Sequence, residues 1–232
     1  MEPMGATDVI LFGIRLQEID VILTDLLWSI VSLVCFIRLT NMKAQLSEAG
    51  NWFRWMFLLM AIAVFLGAFL GHGFQYALAE IGENYEKYFG KYPGWIISMW
   101  GVACMERSSI AYAGERVSER LARIMSVANI TELVLFHGLI MYFGSFYLVE
   151  VHAAYGLIVI AFPLHFLVYR KTMSKASKYV LIGILVAASA VIVHLTEFYL
   201  HPVWFNYHDV SHVILAVATY LYYLGAREMV KE

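Results

Sequence analysis

Hydrophobic residues occur in long runs along the chain, and short polar segments separate these runs. A helix that crosses the hydrocarbon core of a bilayer, about 30 Å thick, needs about 20 predominantly apolar residues. Seven runs approach or exceed that length: residues 21–37, 52–78, 94–113, 130–149, 151–169, 179–200 and 210–224. The fourth and fifth runs are nearly continuous, but one helix across both would reach about 55 Å and overshoot the bilayer. The pattern therefore predicts a tight turn near Glu150 and seven transmembrane helices.

The composition agrees with an integral membrane protein. Hydrophobic residues make up 61% of the 232 residues and charged residues 15%, against about 45–50% and about 25% in an average soluble domain. No linker or internal repeat divides the chain, so we expect one all-α domain over residues 1–232. Residues 1–20 lack the basic segment and small-residue cleavage site of a signal peptide. The two cysteines, Cys35 and Cys104, lie within apolar runs, so neither a disulfide nor a thiolate metal cluster is expected.

The charges favour one orientation of the bundle and exclude one class of partner. Twelve of the sixteen lysines and arginines lie in the segments after the first, third, fifth and seventh predicted helices, whereas the other connections hold three. Because cytoplasmic loops carry the excess of basic residues, we expect the N-terminus outside and the C-terminus in the cytoplasm. The net charge of −2 provides no electrostatic basis for binding nucleic acid.

Most of the histidines are predicted to lie toward one face of the membrane. When each is placed by its depth in the predicted helices, six of the eight fall toward the outer side: His72, His152, His194, His201, His208 and His212. Asp25 falls in the outer part of the first helix. Ionisable groups within transmembrane segments are costly and suggest function. The outer half of the bundle is therefore the predicted location of a functional site.

His208 and His212 form an HxxxH motif at the start of the last predicted helix. Residues four apart lie on one helical face, so these two imidazoles can bind one metal ion. His72, late in the second helix, is predicted to lie at the same depth. Three histidines with one open position are typical of catalytic zinc, although cobalt, iron and nickel also accept imidazole. The alternative is that the three side chains only form hydrogen bonds to neighbouring helices.

Other polar positions have more than one interpretation. His194, Glu197 and His201 share a helical face, and they could orient the metal-binding imidazoles, form a second ligand set, or mark a hydrated helix end. Asp25 could accept a hydrogen bond from a ligand histidine, act as a general base, or favour the N-terminus of its helix. Gly67 and Gly71 form a GxxxG pattern that allows close helix packing. The pairs 106–107 and 132–137 are interpreted as intramembrane ion pairs or snorkelling side chains.

A histidine late in the second helix and HxxxH at the start of the seventh make the sequence resemble the CREST superfamily. This group includes the alkaline ceramidases and the progestin and adipoQ receptors, which are seven-helix proteins with a zinc site among the helices. The resemblance implies that His72, His208 and His212 are the three zinc ligands. It also implies that residues 208–226 correspond to the last helix of that superfamily. The predicted outer N-terminus matches the ceramidase branch rather than the adiponectin-receptor branch.

The sequence departs from that superfamily at two positions. Ala68 stands where the family has a serine four residues before the helix-2 histidine, and residues 92–95 lack the family's aspartate at the start of the third helix. The family associates those two residues with the zinc-bound water and the reacting carbonyl. Asp25, Glu197 and Asp209 are the carboxylates that could act in their place, and the sequence does not choose among them.

Two functions follow from these observations. The first is a zinc-dependent integral-membrane hydrolase that acts on a membrane lipid, above all an amide such as ceramide. The second is a non-enzymatic receptor or structural membrane protein that retains the metal site. A haem-binding cytochrome is a weaker third class, because two imidazoles four residues apart on one helix cannot sandwich one haem. A retinal protein is excluded, because residues 210–224 contain no lysine for a Schiff base.

Overall fold

A computed structural model describes residues 5–231 and confirms the all-α class, with about 83% of the chain helical. Two short strands come first, β1 (Val9–Leu11) and β2 (Ile14–Leu16). The helices are α1 (Ile19–Asn41), α2 (Glu48–Gly73), α3 (Gln75–Ile81), α4 (Tyr92–Arg116), α5 (Glu119–Phe143), α6 (Phe146–Thr172), α7 (Lys175–Leu195) and α8 (Tyr207–Met229). Shorter helical turns occupy Lys43–Gln45, Glu83–Tyr85 and Glu86–Lys91. Two of the long helices contain a π-helical segment, Gly67–Gly73 in α2 and Gly156–Ala161 in α6.

Polar side chains define where several helices begin. Ser47, Ser118 and Ser174 precede α2, α5 and α7, and each accepts a hydrogen bond from a backbone N–H of the first turn. Asn206 precedes α8, and its Oδ1 accepts from the His208 N–H at 2.8 Å. A side-chain acceptor at this position satisfies one of the free N–H groups at a helix N-terminus. These four residues therefore set the start of four of the seven long helices.

The predicted turn near Glu150 is wrong in position. The chain turns at Gly144 and Ser145, and Glu150 and His152 lie inside α6. Gly144 has a φ of 63°, a left-handed conformation that glycine adopts without strain and that commonly ends a helix. The fourth predicted helix, which is α5, therefore ends at Phe143, six residues before the predicted end at residue 149. Glycine backbone freedom, rather than the polarity of Glu150, determines the break.

Other predicted boundaries also differ, and the largest difference is the start of α5 at Glu119 instead of residue 130. α2 ends at Gly73 instead of residue 78, and α3 follows as a separate short helix. α7 ends at Leu195 instead of residue 200, and the chain then forms turns that include Glu197 with a φ of 50°. The β1–β2 hairpin was not predicted from the sequence; its turn residues Phe12 and Gly13 both have positive φ. That combination is typical of a two-residue hairpin turn.

Six of the long helices form a ring. α1 packs against α2 and α8, α2 against α4, α4 against α6, α6 against α7, and α7 against α8. α5 packs against α4 and α6. α7 and α8 pack closely, because a Cβ at Gly183 would overlap the aromatic side chain of Tyr222. Because successive long helices alternate in direction, the end of α2, the end of α7 and the starts of α1 and α8 meet at one end of the bundle.

Much of the outer surface is apolar. Large side chains such as Leu23, Val134 and Leu185 are exposed on the outside of the helices. Five helices are long and apolar enough to cross a membrane: Ile19–Asn41, Glu48–Gly73, Glu119–Phe143, Phe146–Thr172 and Lys175–Leu195. α4 and α8 have comparable lengths, 25 and 23 residues, but are more polar. The fold is thus compatible with a multi-pass membrane protein, and the count of seven spans stays a prediction.

Candidate metal centre

The start of α8 is organised by a capping box that places both histidines of the HxxxH motif. Asp209 Oδ2 accepts a hydrogen bond from the Asn206 N–H at 2.8 Å, while Asn206 caps the N–H of His208. The helix therefore starts at Tyr207 and carries His208 and His212 on its first two turns. Both side chains are partly buried.

The structure brings the three predicted metal-binding histidines to the same end of the bundle and adds a fourth. His72 lies in the π-helical segment of α2, and its ring centroid is 6.5 Å from that of His208. His194, in the last turn of α7, lies 5.4 Å from His208 by the same measure. His212 lies one helical turn after His208 on α8. We call His72, His194, His208 and His212 the histidine cluster.

A carboxylate lies against the Nδ1 atom of two of these histidines. Glu18 Oε2 is 2.6 Å from Nδ1 of His72, and Asp25 Oδ1 is 3.1 Å from Nδ1 of His212. Metal-binding histidines usually donate the hydrogen of their second nitrogen to such a carboxylate, which orients the ring and raises its basicity. In both cases Nε2 is then the nitrogen left for a metal ion. The donor set therefore fits zinc.

Glu18 is held in place by the N-terminal hairpin. Its φ of 49° is uncommon for a residue other than glycine, and Asp8 Oδ1 accepts from its N–H at 3.3 Å. Asp8 also forms an ion pair with Arg15 at 2.7 Å. Glu18 lies just before α1, and the hydrogen bond with His72 holds the pKa of its carboxyl below its usual range. This residue was not predicted, although its position directly before the first apolar run places it at the outer end beside His72.

The histidine rings are close to, but not at, the spacing for one shared ion. With Zn–N bonds of about 2.0–2.1 Å in tetrahedral geometry, two imidazole centroids lie about 5 Å apart. The His194–His208 separation of 5.4 Å is near that value, and the His72–His208 separation of 6.5 Å is wider. Within residues 5–231, the ligand atoms of His72, His208 and His212 do not all lie within 4.8 Å of one another. Binding of one ion by all three therefore requires their ligand atoms to move closer together.

The three carboxylates predicted for catalysis lie in different environments. Asp25 is buried in α1 beside His212, and its Oδ2 faces Gly67, where a Cβ would be only 3.9 Å away. Asp209 is fully buried, but both oxygens accept hydrogen bonds, from the Asn206 N–H and from Thr24 Oγ1 at 3.0 Å. Glu197 is exposed, and its side chain forms no ion pair or hydrogen bond with the described residues. Of the three carboxylates, Asp25 is therefore the one that contacts a predicted ligand through one oxygen and keeps its second oxygen free of hydrogen bonds with the described residues.

His194 and Glu150 extend the cluster toward α6. His194 Nε2 lies 3.7 Å from Glu150 Oε1, and the ring of Tyr207 packs against both His194 and His208, with centroid distances of 5.2 and 4.1 Å. His201, by contrast, accepts hydrogen bonds from the backbone of its own turn. His194 thus contacts a predicted ligand, as the first interpretation of residues 194, 197 and 201 required. Residues 197 and 201 instead lie in the exposed turn after α7.

His152 does not join the histidine cluster. The shifted start of α6 places it two turns inside that helix, where its Nε2 lies 3.3 Å from Glu132 Oε1 and both residues are buried. Glu106 of α4 belongs to the same group. Glu106 and Glu132 therefore do not snorkel; both are buried, and Glu132 lies within ion-pair distance of His152. His137 instead bonds through Nδ1 to the carbonyl of Leu133 at 2.7 Å.

The fold and its clusters define an all-α protein with several membrane-length apolar helices and buried carboxylate and imidazole groups. Residues 21–231 match the model of DUF6962, a family of unknown function, and the chain belongs to that family. No curated protein matches the chain. No solved structure matches it either.

Proposed function

We propose that the protein is an integral-membrane, zinc-dependent hydrolase that acts on a membrane lipid of the amide class, as ceramidases do. The observation that carries the proposal is the pairing of two predicted ligands with carboxylates, Glu18 with His72 and Asp25 with His212. Structural histidines that merely cap a helix have no need of such a partner on one specific nitrogen. The resemblance to the CREST superfamily supports the same assignment.

The membrane placement proposed here has seven spans, with the N-terminus outside and the C-terminus in the cytoplasm. The five most apolar helices support it directly, and α4 and α8 match them in length. In this arrangement the histidine cluster lies in the outer part of the bilayer. A lipid can then approach from the side, between helices, without leaving the membrane.

His72, His208 and His212 would hold the zinc ion through Nε2. When bound, zinc supplies a Lewis acid that activates water and polarises a carbonyl. Glu18 keeps the imidazole ring of His72 in orientation by accepting a hydrogen bond from Nδ1. Asp25 Oδ1, 3.1 Å from Nδ1 of His212, and Thr24 Oγ1, 3.4 Å from the same atom, contact the ring of His212. Asp25 Oδ2 makes no hydrogen bond with the described residues and can accept a proton during hydrolysis. His194 lies beside His208 and is positioned to contact the substrate or serve as a further ligand.

A non-enzymatic receptor or structural membrane protein is the second candidate. Ala68 in place of serine and the absence of an acidic residue in 92–95 favour it. So does Asp209, because its two oxygens are committed to the cap and to Thr24. In this case the zinc ion would join the ends of α2 and α8 without reacting with a substrate.

The deciding experiment measures metal content and lipid hydrolysis on the same preparation. The full chain is purified in detergent and analysed for zinc by mass spectrometry, beside His208→Ala, His212→Ala and the control His201→Ala. Hydrolysis of a ceramide in mixed micelles is measured before and after zinc chelation. We expect one equivalent of zinc and the turnover to be lost in the first two variants and kept in the control. Zinc without turnover would support the receptor alternative, and full zinc retention in both variants would exclude the site.

A further inference from the structure

A second group of buried polar side chains lies between α4, α5 and α6, apart from the histidine cluster. Glu106, Glu132 and His152 each come from a different helix, and one ligand atom from each lies within 4.8 Å of the others. Their exposed fractions are 0%, 6% and 0%. We call these three residues the carboxylate cluster.

Most polar atoms of the carboxylate cluster have no hydrogen-bond partner. They are Glu106 Oε1, both carboxylate oxygens of Glu132, and both ring nitrogens of His152. Asn129 Nδ2 donates to Glu106 Oε2 at 2.8 Å. Within residues 5–231, no lysine or arginine forms an ion pair with either glutamate. Buried polar atoms are nearly always paired, and a buried charge without a partner is strongly unfavourable. These unpaired buried atoms are therefore available as ligands for a cation.

The spacing of the cluster matches that of ligands around one metal ion. His152 Nε2 and Glu132 Oε1 are 3.3 Å apart but outside hydrogen-bonding geometry. Two ligand atoms at about 2.1 Å from one ion lie about 3.0 Å apart in octahedral geometry and about 3.4 Å apart in tetrahedral geometry. The two atoms are thus placed as neighbouring ligands, and Glu106 Oε1 offers the third donor.

The surrounding backbone makes room for this group. Gly156 lies one turn after His152 on the same face of α6, and a Cβ there would overlap Glu106 Oε1 and contact Val102. The π-helical segment of α6 begins at the same glycine. Single π-helical turns are rare overall, but where they occur they are often at functional sites. Glycine at 156 therefore allows the carboxylate of Glu106 to reach the imidazole of His152.

The burial pattern of α5 is inverted relative to that of an ordinary core helix. Its buried residues are Asn129, Glu132 and Ile140, while apolar residues such as Val134 are exposed. α5 buries a glutamate and an asparagine and exposes aliphatic side chains. Its polar side chains, rather than its apolar ones, therefore determine which face of the helix packs inward. In a bilayer the exposed face meets lipid, and the inner face meets the carboxylate cluster.

We propose that Glu106, Glu132 and His152 form a binding site for a divalent first-row transition-metal ion, separate from the histidine cluster. Two carboxylates and one imidazole provide the mixed oxygen and nitrogen donors that suit Mn²⁺, Fe²⁺ or Zn²⁺. A divalent cation balances the two carboxylate charges, which no side chain balances. Three protein ligands leave further coordination positions open. Asn129 acts as a positioning residue, because its Nδ2 donates to Glu106 Oε2 and leaves Oε1 available as a ligand.

The test uses the full chain with the histidine cluster disabled by His208→Ala and His212→Ala together. This background is stripped with a chelator and titrated with Mn²⁺, with Mg²⁺ as the comparison ion. We expect one equivalent of Mn²⁺ per chain, and X-ray absorption of the zinc-loaded form with one imidazole among oxygen ligands. Adding Glu132→Gln or His152→Gln should remove that equivalent, whereas adding His137→Gln, on the same helix as Glu132, should not.

The result can contradict the proposal independently of the hydrolase assignment. Absence of bound metal in the His208→Ala/His212→Ala background overturns it, even if the wild-type protein is an active zinc hydrolase. Unchanged binding in both Glu132→Gln and His152→Gln also overturns it. Should those variants fail to fold, Asn129→Ala provides a milder change that we expect to weaken Mn²⁺ binding about 10–100-fold. Unaltered Mn²⁺ affinity in that variant would contradict the positioning role of Asn129.

Discussion

Glu18 Oε2 lies 2.6 Å from His72 Nδ1, although 54 positions separate the two residues in the chain. The contact joins the segment before α1 to the π-helical end of α2, and the β1–β2 hairpin holds Glu18 in place through Asp8. The N-terminal segment is therefore part of the proposed zinc site. It contacts the imidazole of His72 through Nδ1 and so restrains the orientation of the ring.

Replacing Glu18 by glutamine should weaken zinc binding about 10–100-fold. The amide keeps the size of the side chain but loses the negative charge that raises the basicity of His72. Competition with a fluorescent chelator would measure the affinity. Glu80→Gln, at an exposed position on α3, is the control and should leave it unchanged. Equal affinities in the two variants would refute the role of Glu18.

Replacing Asp25 by asparagine should lower kcat for lipid-amide hydrolysis about 10²–10⁴-fold, the usual contribution of a general base. Glu197→Gln should leave kcat unchanged, because Glu197 is exposed in the turn after α7. Initial rates at saturating substrate, with zinc content measured in parallel, separate loss of chemistry from loss of metal. A larger effect at Glu197 than at Asp25 would show that the base is misassigned.

The cap of α8 should contribute measurably to stability. Asn206→Ala removes the acceptor for the His208 N–H and the hydrogen bond from Nδ2 to Asp20 Oδ2 at 3.0 Å. We expect a loss of about 0.5–2 kcal/mol and faster hydrogen exchange in residues 207–212. Ser145→Ala is the matched control, because Ser145 precedes α6 without a side-chain cap hydrogen bond. The cap assignment fails if both variants unfold at the same denaturant concentration.

The turn between α5 and α6 depends on glycine at 144. Gly144→Ala places a Cβ at a φ of 63° and against Lys87 and Tyr92, so we expect destabilisation of more than about 1 kcal/mol. Gly138→Ala, in α5 with open space around its Cβ, should instead be neutral or stabilising by about 0.5–1 kcal/mol. Thermal unfolding in one detergent compares the two. Equal midpoints would mean that the left-handed conformation of Gly144 is not required.

The proposed orientation can be tested by cysteine labelling, since both native cysteines are buried. Phe12→Cys, at the tip of the hairpin, should react with a membrane-impermeant maleimide in intact cells. Met173→Cys, between α6 and α7, should react only after permeabilisation. Both positions are well exposed, at 95% and 67%. The reverse pattern would place the N-terminus, and with it the histidine cluster, on the cytoplasmic side.

Sequence patterns predicted the helices of this protein better than they predicted the contacts within its candidate site. Long apolar runs predicted the helices, because a helix long enough to cross a membrane needs apolar residues along its whole length. The HxxxH motif and His72 were found because spacing on a helix and depth in the membrane both follow from position in the chain. The contact of Glu18 with His72 depends on a hairpin, and that of His194 with His208 depends on the packing of α7 beside α8, so neither follows from position in the chain.

The sequence by itself determined the all-α class, most helix positions and the end of the bundle where His72, His208 and His212 lie, since hydrophobicity and helical period are local properties. Only the tertiary structure decided that His152 joins Glu106 and Glu132 instead of the other histidines. That outcome depends on the left-handed Gly144, which moves the start of α6, and on Gly156, which admits the carboxylate of Glu106. Which buried side chains meet is determined by backbone geometry at a few glycines, and no local pattern of apolar and polar residues encodes it.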